Sequence, residues 1–486
     1  MLSNNLRENI HLLYQLLPIG TSFDLFTRDF YIGTRKAFLL GINGFCDTDA
    51  LLRIIEDLQK SETLSDLCIK NTNKKENCAS IDQLLNSAIG YSQVIFTDSI
   101  AEIVDNVLCG PALLLIDGFN EGILLDVRSY PVRSMEEPDM ERSTKGARDG
   151  FVETLLTNCN LIRRRIRSPH LTFSVMQAGS ESKTDIAIAY RDDLADPGLL
   201  DSLTTTIENL KITSLTMGSR SLEELLIQKH WWNPLPVIQQ TERPDVACSY
   251  LSEGHILLIV DNSPSVLILP CTIFQFTQSP EDYYKNPLVG TYFRLIRFLC
   301  IPLSLLLLPL FLLLNVYFPQ TADMLHLSSA TKASPGQMIF FVIAVELGLD
   351  LFKYSTAVTS NRFSNALSIV GGLLVGDIAI KLNWASAEVL FYAAISLLAS
   401  LSLANIDFAD ALRLYRIFLI LTTAIGGLPG FLIGFALVIL SVITTPTFSG
   451  MSYFWPLFPL NKKALYSLVF RKPTAKAQPC KIWNRN

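Results

Sequence analysis

Paired cysteines, clustered histidines and catalytic signatures are all missing from this 486-residue chain. The nine cysteines, Cys46, Cys68, Cys78, Cys109, Cys159, Cys248, Cys271, Cys300 and Cys480, are odd in number and scattered, with no C-x-x-C pair. That spacing argues against a zinc site and a disulfide framework, and it fits a reducing compartment. The five histidines, His11, His170, His230, His255 and His326, lack metal-ligand spacing. No phosphate loop, G-x-G-x-x-G, G-x-S-x-G or H-E-x-x-H occurs. With no nucleophile, metal cluster or phosphate cradle, an enzyme acting on lipid or peptidoglycan precursors has nothing to stand on, and no cofactor is expected.

Charge is scarce as well. Charged residues make up 17% of the chain, against about 25% in a soluble domain. The slightly acidic balance, net −5, excludes a strongly basic nucleic-acid binder. A hydrophobic share of 49% excludes intrinsic disorder.

The average hides three regions. Residues 1–297 carry 38 acidic and 27 basic side chains, residues 298–460 only 7 and 6, and residues 461–486 carry 7 basic and none acidic. The chain therefore reads as a polar body, an apolar body and a basic tail. The apolar body opens with Phe298–Phe318, uncharged throughout, which as a helix spans about 31 Å, the thickness of a bilayer core. Further apolar segments are Met338–Phe352, Ala366–Ile380, Ala385–Ala404 and Leu412–Ile443. The last is too long for one upright span, and Gly426-Gly427-Leu428-Pro429-Gly430 should break it into two short helices or one strongly kinked one. Four to six passes are expected. Lys285, Arg294 and Arg297 precede the first span, and Lys462, Lys463, Arg471 and Lys472 follow the last. Both ends should then face the cytosol, which requires an even number of passes. Met1–Gly20 is a short amphipathic stretch without the apolar run of a signal peptide.

The polar body reads as two α/β subdomains, so the fold class is an α+β cytosolic N-terminal region followed by an α-helical polytopic transmembrane bundle. Residues 1–133 form the first subdomain, with hairpins at Phe23–Ile32/Lys36–Ile42 and Ala112–Ile116/Gly122–Val127, and a helix at Asp49–Leu58. Residues 61–80 read as a loop and 134–149 as a connector. Residues 134–285 form the second, with a helix at Phe151–Ile166, strands at Leu171–Met176 and Asp185–Tyr190, and a hairpin at His255–Val260/Ser265–Pro270. Pro197 suits a first helical turn, and Ser221-Leu222-Glu223-Glu224 has capping-box spacing. Residues 286–460 are the membrane domain and 461–486 the cytosolic tail. No internal repeat is evident, which weakens a secondary-transporter reading that the broken apolar segments would otherwise suit.

Ionisable residues inside the apolar body are the strongest functional signal. Glu346 and Asp350 share a helix face, and Asp377 follows Gly371–Gly376, with Lys381 one turn on. Such groups should face a protein interior or a water-filled path, and a row of carboxylates on a pore favours cations. The competing reading pairs Asp350 with Lys353 and Asp377 with Lys381. The run Arg163-Arg164-Arg165 ends a helix, where cations suit the dipole or make internal ion pairs. The alternative for Arg163, Arg164, Arg165, Arg294 and Arg297 is contact with anionic headgroups or an acidic partner.

Several motifs resemble the GerA family of bacterial spore germinant receptor A subunits. They are Glu137-Pro138, Gly146–Phe151, Asn160–Arg165, Thr241-Glu242-Arg243-Pro244-Asp245, Glu253-Gly254, Asp261–Pro264 and Ser279–Tyr284. Phe23-Asp24 with Gly44-Phe45-Cys46-Asp47-Thr48, and likewise Gly376–Ala379, Leu428-Pro429-Gly430-Phe431 and Tyr453–Asn461, resemble one branch of that family, and ordinary receptor A subunits differ at the last of these. The resemblance implies a multi-pass protein of the spore inner membrane that forms homo-oligomers, works with other germination proteins and contacts membrane lipid. It also implies a part in forming or gating an ion path during germination. A non-conducting scaffold linking germinant receptors or the dipicolinate channel is the alternative it leaves open.

Overall fold

A computed structural model of the chain describes residues 1–60, 93–130, 146–227, 232–324, 334–358, 380–381, 386–448, 450 and 452–471. The expected loop at 61–80, most of the connector, Asp377 and most of the tail lie outside the described residues. Two compact units emerge, one of Met1–Gln228 and Gln240–Pro270, the other of Lys229–Gln239 and Cys271–Gln478.

The first unit holds two five-stranded sheets. Its elements begin with α1 (Leu6–Leu16), β1 (Leu25–Ile32), β2 (Arg35–Ile42), α2 (Thr48–Lys60), β3 (Val94–Thr97), α3 (Ile100–Cys109), β4 (Ala112–Ile116) and β5 (Gly122–Leu125). Sheet order is β1-β2-β4-β5-β3, antiparallel throughout. The β1–β2 register joins Ile32 to Arg35, so Gly33-Thr34 forms the two-residue turn, with Gly33 at φ 59°. Successive side chains of a strand point to opposite faces, and β2 divides accordingly. Phe38, Leu40 and Ile42 join Leu13, Ile103 and Val107 on one face, while Ala37 and Leu39 join Leu51, Ile54 and Leu58 on the other. Helices α1 and α3 thus cover one side and α2 covers the other. Helix α3 lacked a sequence expectation, although its signals are present: Ser99 caps it, Glu102 stands in the first turn and Gly110 closes it at φ 118°.

The second sheet follows with α4 (Leu155–Arg165), β6 (Leu171–Ala178), β7 (Thr184–Arg191), α5 (Pro197–Glu208), α6 (Ser219–Leu226), β8 (Gln239–Thr241), α7 (Pro244–Ser252), β9 (Ile256–Val260) and β10 (Val266–Leu269). Its order is β6-β7-β9-β10-β8, and β6, β7, β9 and β10 pair antiparallel. The runs Ile256–Val260 and Val266–Leu269 are buried at every position, as strands covered on both faces must be. Helix α4 starts four residues later than expected because its cap is tertiary: Asp261 accepts from the Leu155 N–H at 3.1 Å. Pro197 opens α5 behind an Asp196 cap. Ser221 does not cap α6, which starts at Gly218–Ser219, and Glu223 turns instead to Arg220 at 2.7 Å.

His255 lies in this core, fully buried, its ring 5.0 Å from that of Tyr250. Burial lowers its pKa from 6.5 to about 4, against the raising effect of the Pro270 and Leu269 carbonyls. The folded form therefore keeps the ring neutral while the unfolded chain protonates below pH 6.5. Stability is unaffected above that pH and falls between pH 6.5 and about 4 by roughly 1.4 kcal/mol per pH unit. His255→Gln should flatten that slope, read as hydrogen-exchange protection of β9 against pH.

The second unit is helical: α8 (Glu281–Tyr284), α9 (Pro287–Tyr317), α10 (Pro319–Met324), α11 (Pro335–Val358), α12 (Ala387–Leu401), α13 (Ile406–Thr444) and α14 (Lys462–Val469). Pro287–Tyr317, Pro335–Ser355 and Ile406–Thr444 are each long and apolar enough to cross a membrane. Helix α13 is not one rod. Gly427, at φ 59° and ψ −136°, breaks it, and the chain doubles back. Tyr415 meets Ser441 at 2.7 Å, and a Cβ on Gly434 would lie 3.2 Å from Leu419. Such contacts between residues 15 to 26 positions apart require two antiparallel arms, about 31 and 25 Å long. Gly427 also admits the Tyr317 ring, which would stand 2.9 Å from an added Cβ, while the Tyr317 hydroxyl donates to the Ala424 carbonyl at 3.0 Å.

Helix directions follow from paired levels. Ser304 meets Arg416 and Tyr317 meets Ala424, so α9 runs with the first arm of α13. The Phe311 ring lies 4.7 Å from that of Tyr392, and Cys300 lies beside Ser402, so α12 runs against α9. The shared core is Leu308, Phe311, Leu312, Val342, Val389, Ala393 and Ile420. Leu351, Phe391, Leu398, Ile425 and Ile433 are exposed, an apolar outer surface suited to lipid. Gly427→Ala should cost about 1–3 kcal/mol through strain at a positive φ, measured as a lower unfolding midpoint in detergent with the α13 turn opened to proteolysis.

Candidate functional site

Six charges of the apolar body come together between two helices. Helix α11 carries Glu346, Asp350 and Lys353 at i, i+4 and i+7, and the first arm of α13 carries Asp410, Arg413 and Arg416 at i, i+3 and i+6. Each set lies along one helix face. The helices run in opposite directions, so the sets match: Glu346 pairs with Arg416, Asp350 with Arg413 and Lys353 with Asp410. Arg413 also reaches Asp410 at 3.7 Å. Three positive and three negative side chains give the ladder no net charge.

Its inner rung is the most buried. Glu346 is 3% exposed and Arg416 1%. Arg416 Nε donates to Glu346 Oε1 at 2.9 Å, and Nη1 donates to the Ser304 carbonyl of α9 at 2.9 Å. Glu346 Oε2 and Ser304 Oγ have no hydrogen-bond partner among the described residues. Removing one member of such a rung strands a buried charge, which costs far more than the pair contributes.

Glu346 and Asp350 thus face arginines, and Asp350 is not paired with Lys353. Asp377 lies outside the described residues. Arg294 and Arg297, 3% and 7% exposed, turn inward to Asp282 of α8, with Arg294 Nε at 3.3 Å. Arg294 also donates to the Leu468 carbonyl of α14 at 3.0 Å. The segment Cys271–Tyr284 therefore belongs with the helices.

In the first unit the arginine run is equally committed. Arg163 is wholly buried, donating to Asp24 at 2.6 and 3.2 Å and to the Ser168 and Leu171 carbonyls at 2.9 and 2.8 Å. Ser22 completes the carboxylate's shell at 2.5 Å. Arg164 lies over the Tyr130 ring at 4.7 Å, and Arg165 grips Asp149 at 2.6 Å. The run joins the segment entering the first sheet to the second sheet and leaves the Arg163 guanidinium no access to a headgroup.

Sequence reasoning missed Asp24, Asp282, Asp410, Arg413 and Arg416 as partners. The ladder had a visible signal: three charges at helical spacing opposite in sign to three on another apolar segment. Asp24 and Arg163 had none, being 139 residues apart. Among the described residues, His170, Asp192 and Asp193 form an exposed group of possible metal ligands, but Asp193 is held by Arg191 at 2.7 Å and His170 by Asp192 at 2.8 Å. Desolvation pushes the half-buried Cys46 thiol up to about 11, so that thiol is not a nucleophile at neutral pH.

Two antiparallel sheets followed by a bundle of apolar helices with internally paired charges define a membrane-associated protein with a sheet-built N-terminal part. The chain belongs to the GerA family: the model described as Bacillus/Clostridium GerA spore germination protein matches residues 15–480. It is 32% identical over 470 residues to stage V sporulation protein AF of Bacillus subtilis (strain 168), covering 96% of this chain and 93% of that one. It is 28% identical over 462 residues to spore germination protein KA of the same organism, covering 94% and 82%. Among solved structures, the N-terminal domain of the A subunit of the Bacillus megaterium spore germinant receptor GerK3 matches at 27% identity and TM-score 0.41, over 55% of this chain and 95% of that one.

The family motifs are mutual contacts. Asp24 bonds Arg163, and an added Cβ on Gly44 would collide with Asn160. Arg243 bridges Asp245 at 2.7 Å and the Ala147 carbonyl at 3.2 Å, and the Phe151 N–H donates to the Glu242 carbonyl at 2.8 Å. Arg163→Leu alone should cost about 3–5 kcal/mol by stranding Asp24, and Asp24→Leu with Arg163→Leu should recover most of it. Hydrogen-exchange protection of β6 in the full chain measures both.

Proposed function

We propose that the chain is a non-enzymatic integral membrane subunit of a spore germination complex, and that copies of it assemble to form or gate an ion path in the spore inner membrane. The ladder of Glu346, Asp350 and Lys353 against Arg416, Arg413 and Asp410 carries this reading. Charges kept inside an apolar bundle are expensive and mark functional elements in membranes. The core of one chain is filled by Leu308, Phe311, Leu312 and Val342. The path therefore runs between copies or beside a partner subunit, and the ladder is the element that re-pairs when it opens.

The described helices fit four to six passes. Helices α9, α11, α12 and the two arms of α13 make five apolar rods among the described residues, and α11 and α12 run the same way. An even number leaves both ends on one side. Lys285 and Arg471 lie together at the start of α9, where Arg471 reaches the Lys285 carbonyl, and the positive-inside tendency makes that side cytosolic. On this reading residues 1–133 and 134–285 are cytosolic, 286–460 the membrane part and 461–486 a cytosolic tail.

One observation favours a non-conducting scaffold instead: the ladder carries no net charge and each of its charges is paired within one chain. Cation flux into vesicles holding the full chain with its germination partners separates the two. Glu346→Gln, which leaves Arg416 without its carboxylate, should change the flux by roughly tenfold, and the swap Glu346→Arg with Arg416→Glu should restore it. Vesicles that stay impermeable with the complex assembled would establish the scaffold.

A further inference from the structure

We infer that the C-terminal segment Leu457–Arg471, clasped to the first turns of α9, is a docking surface for the anionic phospholipid headgroups of the bilayer. The inference rests on the membrane reading above and adds to it a lipid class and a place. The clasp is explicit. Arg294 donates to the Leu468 carbonyl at 3.0 Å, the Arg471 N–H donates to Thr291 Oγ1 at 3.2 Å, and Arg471 Nη2 donates to the Tyr283 carbonyl at 2.5 Å. Ala464 is buried, so α14 lies on the bundle by one face only.

What these elements turn outward is apolar. Leu457, Phe458 and Leu460 are 49%, 72% and 59% exposed, followed by Tyr466 and Phe470 on α14. On the first three turns of α9, Leu288, Tyr292, Leu295 and Leu299 are exposed at i, i+4, i+7 and i+11, while Gly290, Arg294 and Arg297 of the opposite face are buried. An α9 of 31 residues is about 46 Å long, well beyond the roughly 30 Å of a hydrocarbon core. Its first turns therefore stand at headgroup level, where aromatic side chains with one polar end are favoured.

Charge selects the occupant. Lys462 and Lys463 are exposed and carry no ion pair among the described residues, and residues 461–486 contain seven basic side chains and no acidic one. An exposed apolar face bordered by uncompensated lysines matches a surface that offers acyl chains beneath negative phosphates. A second copy of this chain would bring its own lysines against these, which like-charge repulsion opposes.

Native mass spectrometry of the detergent-solubilised full chain tests this with phosphatidylglycerol, phosphatidylcholine and inorganic phosphate as probes. Phosphatidylglycerol should be retained in preference to phosphatidylcholine, and inorganic phosphate should not displace it. Lys462→Gln with Lys463→Gln should lower the preference by about fivefold for each lysine lost. Phe458→Ser should weaken retention of both lipids. Equal retention by the native chain, no change in the double variant, or displacement by inorganic phosphate would overturn the inference. So would dimers that dissociate on Phe458→Ser, which would make the face a contact between copies. Resistance to alkaline carbonate extraction is read in parallel. The double variant should keep it, whereas its absence from the native chain would sink the membrane reading itself.

Discussion

A charge removed from water must meet an opposite charge, and this chain is organised around that constraint. Taking an ion into a low-dielectric interior costs several kcal/mol even after relaxation. Asp24 and Arg163 are both wholly buried and hold together the two sheets of the first unit. Asp282 gathers Arg294 and Arg297 at the start of α9. Glu346 and Arg416 join α11 to α13, and the Ser304 carbonyl adds α9. In each case the partners come from distant segments, so each pair fixes a tertiary arrangement as well as balancing charge.

The same constraint bears on function. A bundle needing only to sit in lipid would do better with apolar side chains at positions 346, 350, 413 and 416, since well-packed hydrophobic replacements of buried ion pairs are often neutral or stabilising. The ladder adds one-to-one matching of two helices, and an arrangement of that kind can slip or re-pair as a unit. It is neutral as folded, each charge of one helix facing an opposite charge of the other.

Much of the fold was legible from local signals. Alternation and turn residues marked the hairpins of both sheets, and the apolar runs marked α9, α11, α12 and α13. The glycine- and proline-bearing Gly426–Gly430 marked the break in the last. Helix boundaries failed where the signal was not local: α4 begins late because Asp261, far along the chain, supplies its cap. Ser221 imitated a side-chain cap, whereas α6 starts behind Gly218 without one. Alternation hidden in an all-apolar strand such as Phe38–Ile42 became meaningful only with helices on both faces.

The candidate site was half legible. Glu346 and Asp350 stood out because carboxylates in an apolar segment are conspicuous, whereas their arginines lay at the start of another segment and were not matched to them. By itself the sequence determined the partition into polar body, apolar bundle and basic tail, the antiparallel hairpins and the family motifs, because composition, periodicity and turn chemistry act over a few residues. Only the tertiary structure decided which charges meet, that α13 turns back on itself at Gly427, and that Arg163 and Arg294 serve the interior. Those outcomes depend on the relative direction and level of elements far apart in the chain, and no local pattern carries that information.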